Sequence, residues 1–336
     1  MTAPRTSLFT NPVPQHLAPG TGRILATLAD GSMDVLLISQ VFPPQNGGSG
    51  RWLWELYRRL DGVRVHVAAA AMPGDAEFDR TAPLPIERLP LRFSGWGLAN
   101  PRSAGQYVRA LRGLRRMMLR SRPQAIHCGK CLPEGLLGLG LSTAFGVPYV
   151  CYAHGEELML ARRSHELRLL TALVLRRAQL VVANSRFTRR LLLEEWGVPE
   201  ARVTVMHPGV DASRFAPAPH DAAGRARLGW TGRRVVLTVG ALQQRKGQDM
   251  VIRALPSIRR QCPDVLYAVA GEGWERERLE RLAREHGVAD IVQFLGTPDD
   301  AELITCYQQC DLFVLANRQV GWDVEGFGMA LVEAQA

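Results

Sequence analysis

The sequence predicts an α/β protein built from two doubly wound parallel sheets. Short apolar, β-branched runs alternate with helical patterns from Met33 onward. A segment rich in Pro, Ala and Gly, residues 214–230, interrupts this alternation, which then restarts. Nearly continuous apolar strands are typical of parallel sheets covered by helices on both faces. Repeated strand–helix wiring of this kind gives Rossmann-like domains.

The predicted domain organisation follows from that pattern. We expect a disordered leader at 1–32, a first Rossmann-like domain at 33–213, a linker at 214–230 and a second domain at 231–336. The predicted strands are 33–40, 63–70, 124–129, 149–155, 179–185, 202–209, 234–240, 265–273, 290–296 and 311–317. Ligands of open α/β sheets bind beyond the carboxyl ends of the strands, so the cleft between the domains is the predicted site.

Composition sets broad limits. With 46% apolar and 22% charged residues, and no run of about 18 apolar residues, the chain is expected to be globular and cytoplasmic, with peripheral attachment to the inner face of the plasma membrane left open. The net charge of +9 predicts an anionic partner. Cys128 and Cys131 have the spacing of half a zinc site beside His127, but no second pair completes it, which favours buried thiols.

A glycine-rich turn follows the first strand, in the segment SQVFPPQNGGSGRW. Gly47 and Gly48 let the backbone approach a ligand at a helix N-terminus, which predicts an anion site. The spacing is not the G-x-G-x-x-G fingerprint, and no acidic residue ends the second strand to hold a ribose, which disfavours NAD. A simple turn before a helix is the alternative.

Two charged segments follow other predicted strands. His154, in AHGEEL, stands at the carboxyl end of the strand at 149–155, where a catalytic and a structural role both remain open. In the second domain, Arg245 and Lys246 precede Gly247 and a helix. Positive charges beside the free N–H groups and dipole of a helix N-terminus favour a diphosphate. A solvated turn is the alternative.

The motif VEGFGMALVEAQA, residues 324–336, carries two glutamates eight residues apart. If a helix starts near Phe327, a rise of about 1.5 Å per residue separates Glu325 and Glu333 by roughly 12 Å. Paired carboxylates of glycoside hydrolases are about 5–9.5 Å apart, so an acid–base pair is disfavoured. The N–H groups of residues 327–329 lie between the glutamates and predict a phosphate site. This spacing fits the two ends of one elongated ligand.

Seven segments, in their order along the chain, resemble glycosyltransferase family 4, the retaining enzymes of the GT-B fold that include bacterial lipid mannosyltransferases. They are FPPQNGGSG, AHGEEL, ANSRFTRRLL, VMHPGVDASRF, VGALQQRKG, AGEGWERERLE and EGFGMALVEA, the last as an E-x7-E motif. The resemblance implies the GT-B fold, with two Rossmann-like domains facing a cleft and the second domain incomplete. It also implies a retaining, metal-independent hexosyltransferase.

The resemblance implies a catalytic set of His154, Lys246 and Glu325. Glu325 would contact the donor sugar, Lys246 would neutralise the diphosphate and His154 would lie beside the sugar, while Glu333 would hold the nucleotide ribose. The implied donor-binding residues are Gly47, Gly48, Arg245, Lys246, Gly271, Gly273, Thr297, Glu325, Gly326, Phe327, Gly328, Met329 and Glu333. No metal ligand, cofactor or dedicated general base is implied; the donor would be GDP-mannose or a UDP-sugar.

Two features depart from the family pattern. Ala241 stands where family members often carry Arg, so either Arg245 supplies the charge or diphosphate binding is weaker. Family members also continue past the final EAQA with a further strand and helices. We therefore expect the chain by itself to be poorly active or unstable.

The acceptor is expected to be lipid-linked or a saccharide. Residues 102–122 predict a basic amphipathic helix that can lie on an anionic membrane, at about 1 kcal/mol per cation near the surface. A packed helix with a solvated basic face is the alternative. Nucleic acid is not expected, because no recognised module accompanies the charge. A sugar-nucleotide epimerase of the GT-B fold and a non-catalytic nucleotide-sugar-binding or scaffold protein remain open, the latter favoured by Ala241.

Overall fold

The computed structural model describes residues 33–45 and 47–336, which form two parallel sheets. The first sheet comprises β1 (Met33–Ser39), β2 (Val63–Ala70), β3 (Ile86–Leu89), β4 (Ala125–Cys128), β5 (Tyr149–Ala153), β6 (Leu180–Ala183) and β7 (Val203–Val205). Its strand order is β3-β2-β1-β4-β5-β6-β7, and every neighbouring pair is parallel. The predicted leader lies outside the described residues.

Helices cover both faces of this sheet. They are α1 (Gly48–Tyr57), α2 (Asp75–Thr81), α3 (Pro101–Ser121), α4 (Glu134–Phe145), α5 (Glu156–Ala161), α6 (His165–Arg177) and α7 (Arg186–Arg190), which continues as a π-helical turn at Leu191–Glu195. Helices α3, α4 and α6 share the core on one face, and α1 packs in the core on the other. Strand β1 is buried along its whole length, as a central parallel strand between two helix layers should be.

The second sheet contains the later part of the chain. Its strands are β8 (Arg234–Val239), β9 (Val265–Ala270), β10 (Val292–Gly296) and β11 (Leu312–Phe313), in the order β10-β9-β8-β11. Its helices are α8 (Ala222–Arg227), α9 (Gln248–Gln261), α10 (Arg276–Glu285), α11 (Asp300–Gln309) and α12 (Met329–Gln335). Single 3-10 turns occupy Glu200–Arg202, Gln244–Lys246 and Ala289–Ile291.

The predicted fold class, two Rossmann-like parallel-sheet units, is confirmed, but three strands differ clearly from the prediction. The run 202–209 was predicted as a strand, yet β7 comprises only Val203–Val205. Strand β3 was not predicted, because its four residues lie between Pro85 and Pro90 and are too few to show a period. The run 311–317 was predicted as a strand, yet only Leu312 and Phe313 pair with β8. Beyond them the chain leaves the sheet and leads to the E-x7-E motif.

The segment predicted as a linker, 214–230, packs against the second sheet over part of its length. It contains α8 and ends in Trp230, whose ring is fully buried in the second core. The Nε1–H of Trp230 donates to Gln293 Oε1 at 2.8 Å. Near the start of the segment, Phe215 packs edge-to-face on Tyr307, with ring centroids 5.8 Å apart.

Helix α3 lies where the sequence predicts a basic amphipathic helix, at residues 102–122. The helix forms over Pro101–Ser121 and is capped by the Asn100 side chain, but its apolar side is not free to meet a membrane. Tyr107, Leu114 and Met118 are buried in the first core. The arginines at 102, 109, 112, 115, 116, 120 and 122 are all exposed. The packed-helix alternative therefore describes α3, with a basic face turned to solvent.

Leu114→Ala should destabilise the chain by about 2–5 kcal/mol, because it leaves a cavity where the side chain is fully buried. Arg112→Ala, on the exposed side of the same helix, is the matched control and should change the unfolding free energy by less than about 0.5 kcal/mol. Urea denaturation measures both. Equal losses in the two variants would contradict the packing of α3 described here.

Candidate functional site

The segment 324–328 of the second unit lies directly on the first unit. Val324 is buried within the first core, and the ring of Phe327 stacks on His207 with centroids 5.8 Å apart and planes at 23°. A Cβ added at Gly326 would lie 1.6 Å from the carbonyl oxygen of His154, so only glycine allows this approach. The carboxyl ends of the two sheets therefore meet at this segment.

Glu325 accepts contacts from both cations of the predicted diphosphate site. The Lys246 ammonium and the Arg245 guanidinium both pair with its Oε2. All three side chains are largely buried, with 18% of Glu325, 13% of Lys246 and 10% of Arg245 exposed. Opposite charges attract each other more strongly where water is mostly excluded than in bulk water, because the effective dielectric constant is lower. These ion pairs therefore stabilise the positions of the three side chains.

Arg245 contacts three carboxylates. Besides Glu325, its Nε lies 3.0 Å from Asp323 Oδ1 and its Nη2 3.6 Å from Glu156 Oε2, which belongs to α5 of the first unit. Burial raises the pKa of the Asp323 carboxyl, and the charge of Arg245 opposes that rise. Arg245 was predicted to neutralise a diphosphate together with Lys246. Arg245 lies in a carboxylate cluster that spans the two units, and its role toward a diphosphate stays a prediction.

Glu333 lies apart from that cluster and has different partners. It is buried, its Oε2 accepts from the Tyr307 hydroxyl at 2.8 Å, and its Oε1 accepts from Arg51 Nη1 at 3.2 Å. Arg51 also donates to Asp300 Oδ1 at 3.1 Å through Nη2. Neither Arg51 nor Tyr307 was singled out in the sequence. For Arg51 a signal existed, since it directly follows the glycine-rich turn.

The glycine-rich turn faces the start of α12. Gly47 caps α1 without a side-chain hydrogen bond, and a Cβ added at Gly48 would lie 3.2 Å from Met329 Cγ. Helix α12 begins at Met329, two residues later than the predicted start near Phe327, because Gly328 adopts a left-handed conformation with φ 88° at the N-cap. Within the described chain, the N–H groups of residues 327–329 have no hydrogen-bond acceptor.

His154 is held as a neutral imidazole. Its Nε2–H donates to the carbonyl of Gly129 at 2.7 Å, and Trp52 packs edge-to-face on the ring at 5.7 Å. Burial, with the charge of Lys130 acting in the same direction, lowers the pKa of His154 to about 4. Its backbone N–H donates to Glu157 Oε1 at 2.8 Å. The ring is therefore fixed and uncharged at neutral pH, with Nδ1 as its free acceptor.

The loops that carry the implied donor-binding residues Gly271, Gly273 and Thr297 lie at neighbouring strand ends. The N–H of Gly271, after β9, donates to the carbonyl of Gly296, after β10, at 2.6 Å. A Cβ at Gly271 would lie 2.1 Å from the carbonyl oxygen of Gly240, and one at Gly273 would lie 2.4 Å from that of Leu242. Thr297 follows as an exposed residue. These glycines let three loops close on one another beside the Lys246 turn.

The cysteines carry no metal-site geometry. Cys128, Cys131 and Cys151 are free and buried, with the sulfurs of Cys131 and Cys151 3.6 Å apart. Burial raises the pKa of the Cys128 thiol. Among residues 33–45 and 47–336, no three His, Cys, Asp or Glu side chains are grouped so that they could hold a metal ion.

Gly326→Ala should open the cleft, because the added methyl cannot occupy space 1.6 Å from the His154 carbonyl. We expect a larger radius of gyration in small-angle X-ray scattering. Gly105→Ala is the control, since a Cβ at that helical position meets nothing within 4 Å. An unchanged radius of gyration in Gly326→Ala would show that the close contact does not hold the two units together.

Comparison with known proteins identifies the family. The family model described as "Glycosyltransferase Family 4" matches residues 46–214, and "Glycosyl transferases group 1" matches residues 223–336. The chain is 33% identical over 311 residues to the GDP-mannose-dependent alpha-(1-6)-phosphatidylinositol monomannoside mannosyltransferase of Mycolicibacterium smegmatis, covering 90% of this chain and 78% of that protein. The Mycobacterium tuberculosis protein of the same name is 32% identical over 314 residues, with the same coverage.

Solved structures agree on the fold. Anabaena Alr3699/HepE in complex with UDP-glucose superposes with a TM-score of 0.72 at 21% identity, covering 90% of this chain and 78% of that one. Sucrose-phosphate synthase from Thermosynechococcus elongatus gives a TM-score of 0.73 at 21% identity, with the same coverage. Matched over both halves by family models and along most of its length by relatives, the chain belongs to glycosyltransferase family 4 and is a hexosyltransferase with the GT-B fold.

Proposed function

We propose that this enzyme transfers mannose from GDP-mannose to a mannosylated phosphatidylinositol lipid, with retention at the anomeric carbon and without a metal ion. The observation that carries the proposal is the contact of Lys246 with Glu325, which precedes a stretch, residues 327–329, whose N–H groups have no acceptor among the described residues. A carboxylate, a cation and free amide donors then lie together at one cleft. The donor and acceptor follow from relatives that are at least 30% identical and are named for them.

The site residues divide between the ends of the donor. Glu325 would accept hydrogen bonds from hydroxyls of the sugar, and Glu333 would accept from those of the ribose. Between them, Lys246 and the amide groups would bind the diphosphate. Negative charge grows on the diphosphate as the bond to the sugar breaks, and prearranged donors stabilise that charge without reorganising. Lys246 would thus supply the charge that a metal ion supplies in other transferases.

The proposed bond changes need no protein base. The acceptor hydroxyl forms the new bond to the anomeric carbon on the face from which GDP leaves, and its proton passes to the departing phosphate oxygen. The His154 ring is neutral and donates to the carbonyl of Gly129, and the His154 carbonyl packs directly against Gly326. We assign it to shaping the sugar site. We assign Arg245, which contacts three carboxylates, to the contact between the two units rather than to the charge that is missing at Ala241.

Isothermal titration with GDP-mannose, UDP-glucose and UDP-N-acetylglucosamine, followed by transfer of labelled sugar to phosphatidylinositol monomannoside, tests the function. Lys246→Ala should lower kcat/KM by about a hundredfold, while Arg281→Ala, exposed on α10, should not change it. If the chain binds UDP-glucose and not GDP-mannose, the donor is UDP-glucose and the proposed donor is wrong. Turnover without an acceptor would indicate an epimerase, and binding without turnover a scaffold protein.

We also propose that an anionic lipid surface binds the side of the first unit formed by α3, α4 and α6. A Cβ at Gly135 of α4 would lie 2.6 Å from Val174 of α6, and one at Gly140 would lie 3.6 Å from Leu111 of α3, so the three helices are adjacent. Together they carry nine arginines, all exposed, and two glutamates, a net charge of +7 against +9 for the whole chain.

Exposed apolar side chains accompany this charge. Leu169 and Leu173 lie one turn apart on α6 with 71% and 42% exposure, and Leu119 on α3 is 52% exposed. Of the two glutamates, Glu134 is buried, and Glu166 accepts from the N–H of Ala99 at 2.7 Å. Arg120 pairs with Glu87 of β3, and the other eight arginines have no carboxylate partner among the described residues. Leucines among such arginines suit the headgroup region of an anionic bilayer. None of the described helices combines the length and apolar character needed to cross a bilayer.

Flotation with vesicles tests this surface. Binding to vesicles that contain phosphatidylinositol should weaken as salt rises, and Arg112→Glu should lower it by about one order of magnitude. Leu169→Glu should also lower it, whereas Trp274→Glu, which removes an equally exposed apolar residue from the second unit, should not. Vesicle binding that does not change with salt concentration would contradict the proposed surface. An equal loss of vesicle binding in the Leu169→Glu and Trp274→Glu variants would also contradict it.

A further inference from the structure

Arg51 connects the first unit to the buried carboxylate at the far end of the E-x7-E motif. It lies in the first turn of α1, and its backbone N–H donates to the carbonyl of Gly47 at 3.0 Å. Its guanidinium crosses the cleft, with Nη1 3.2 Å from Glu333 Oε1 and Nη2 3.1 Å from Asp300 Oδ1. One helix of the first unit thus delivers both the glycine-rich turn and a cation to the second unit.

The contacts of Glu333 hold its carboxylate in place but leave some of its hydrogen-bond acceptor positions unused. Oε2 accepts one hydrogen bond, from Tyr307, and Oε1 accepts one, from Arg51. Burial and the neighbouring Glu333 charge raise the pKa of the Tyr307 phenol, so it remains a donor. An ionised carboxylate has about four acceptor positions. Each oxygen therefore keeps one for a further donor, which matches two neighbouring hydroxyls.

We propose that Arg51 is a positioning residue of the donor site, which orients Glu333 toward the two ribose hydroxyls when the cleft is closed. The proposal rests on the proposed role of Glu333 as the ribose carboxylate. Only 7% of Glu333 is exposed, and Arg51 and Tyr307 are the two side chains that hold its carboxylate in place. Asp300 anchors the second arm of Arg51 and lies 2.5 Å from Arg214 Nη2. The guanidinium of Arg51 therefore links closure of the cleft to the orientation of the Glu333 carboxylate.

A purely structural ion pair would have a different signature. If the Arg51–Glu333 ion pair only connects the two units, its removal should weaken the binding of every nucleotide by the same factor. Loss of the orientation of Glu333 would instead remove the enzyme's preference for a nucleotide with both ribose hydroxyls. The ratio of the affinities for GDP and 2′-deoxy-GDP therefore distinguishes the two roles.

The experiment titrates GDP and 2′-deoxy-GDP into the wild-type chain and into Arg51→Ala. In the wild type, the deoxynucleotide should bind about tenfold more weakly, because one hydrogen bond to a charged acceptor is lost. In Arg51→Ala, affinity for GDP should fall about tenfold and the ratio should shrink toward one. Arg51→Lys, which restores one charge but cannot bridge both carboxylates, should recover part of the ratio.

Arg259→Ala is the matched control, because Arg259 also pairs with an aspartate, Asp290 at 2.5 Å, on the exposed side of the second unit. It should leave both affinities unchanged. Thermal unfolding of Arg51→Ala checks that the chain remains folded. An unchanged ratio in a folded Arg51→Ala variant overturns the proposal while leaving the transferase function intact. If the wild type binds neither nucleotide, the same titration with UDP and 2′-deoxy-UDP replaces it; failure of both pairs overturns the donor site itself.

Discussion

The carboxylate of Glu325, shared between Lys246 and Arg245, is the interaction on which the closed cleft depends. Arg245 extends the cluster to Glu156 in the first unit, so a single chain of charges joins the two sheets. Truncating one member would leave a mostly buried charge without its partner, which typically costs several kcal/mol. Within this cluster Lys246 contacts one carboxylate, that of Glu325, and Arg245 contacts three.

Neither sheet builds the site alone. The second unit supplies Lys246, Glu325 and Glu333, and the first supplies Arg51 and the fixed ring of His154. Glycine positions let the backbones meet, as at Gly326 and Gly48, where side chains would keep the units apart. The closed arrangement therefore rests on charge pairing and small residues at the contact points, and on Val324, whose side chain is buried in the first core.

Most of the fold followed from local patterns, and the exceptions have physical causes. The buried strands showed as apolar runs because helices cover them on both faces. Strand β3 was not predicted because it is a short edge strand between prolines. The length of β11 was overestimated because an apolar run does not show where pairing with the neighbouring strand ends. The basic helix α3 was located correctly. Its sequence could not show whether its apolar side met the core or a membrane, since both environments accept the same pattern.

The sequence by itself determined the two α/β units and placed the charged motifs at the carboxyl ends of the strands, because strand period and the wiring of parallel sheets are local properties of the chain. Only the tertiary structure decided which charges meet. Arg245, which the sequence predicted for a diphosphate site, also contacts three carboxylates, and no sequence pattern indicated them. Arg51 contacts Glu333 although 282 residues of sequence separate the two. Ion pairing depends on distance in space, and no local pattern of residues encodes a contact between two separate sheets.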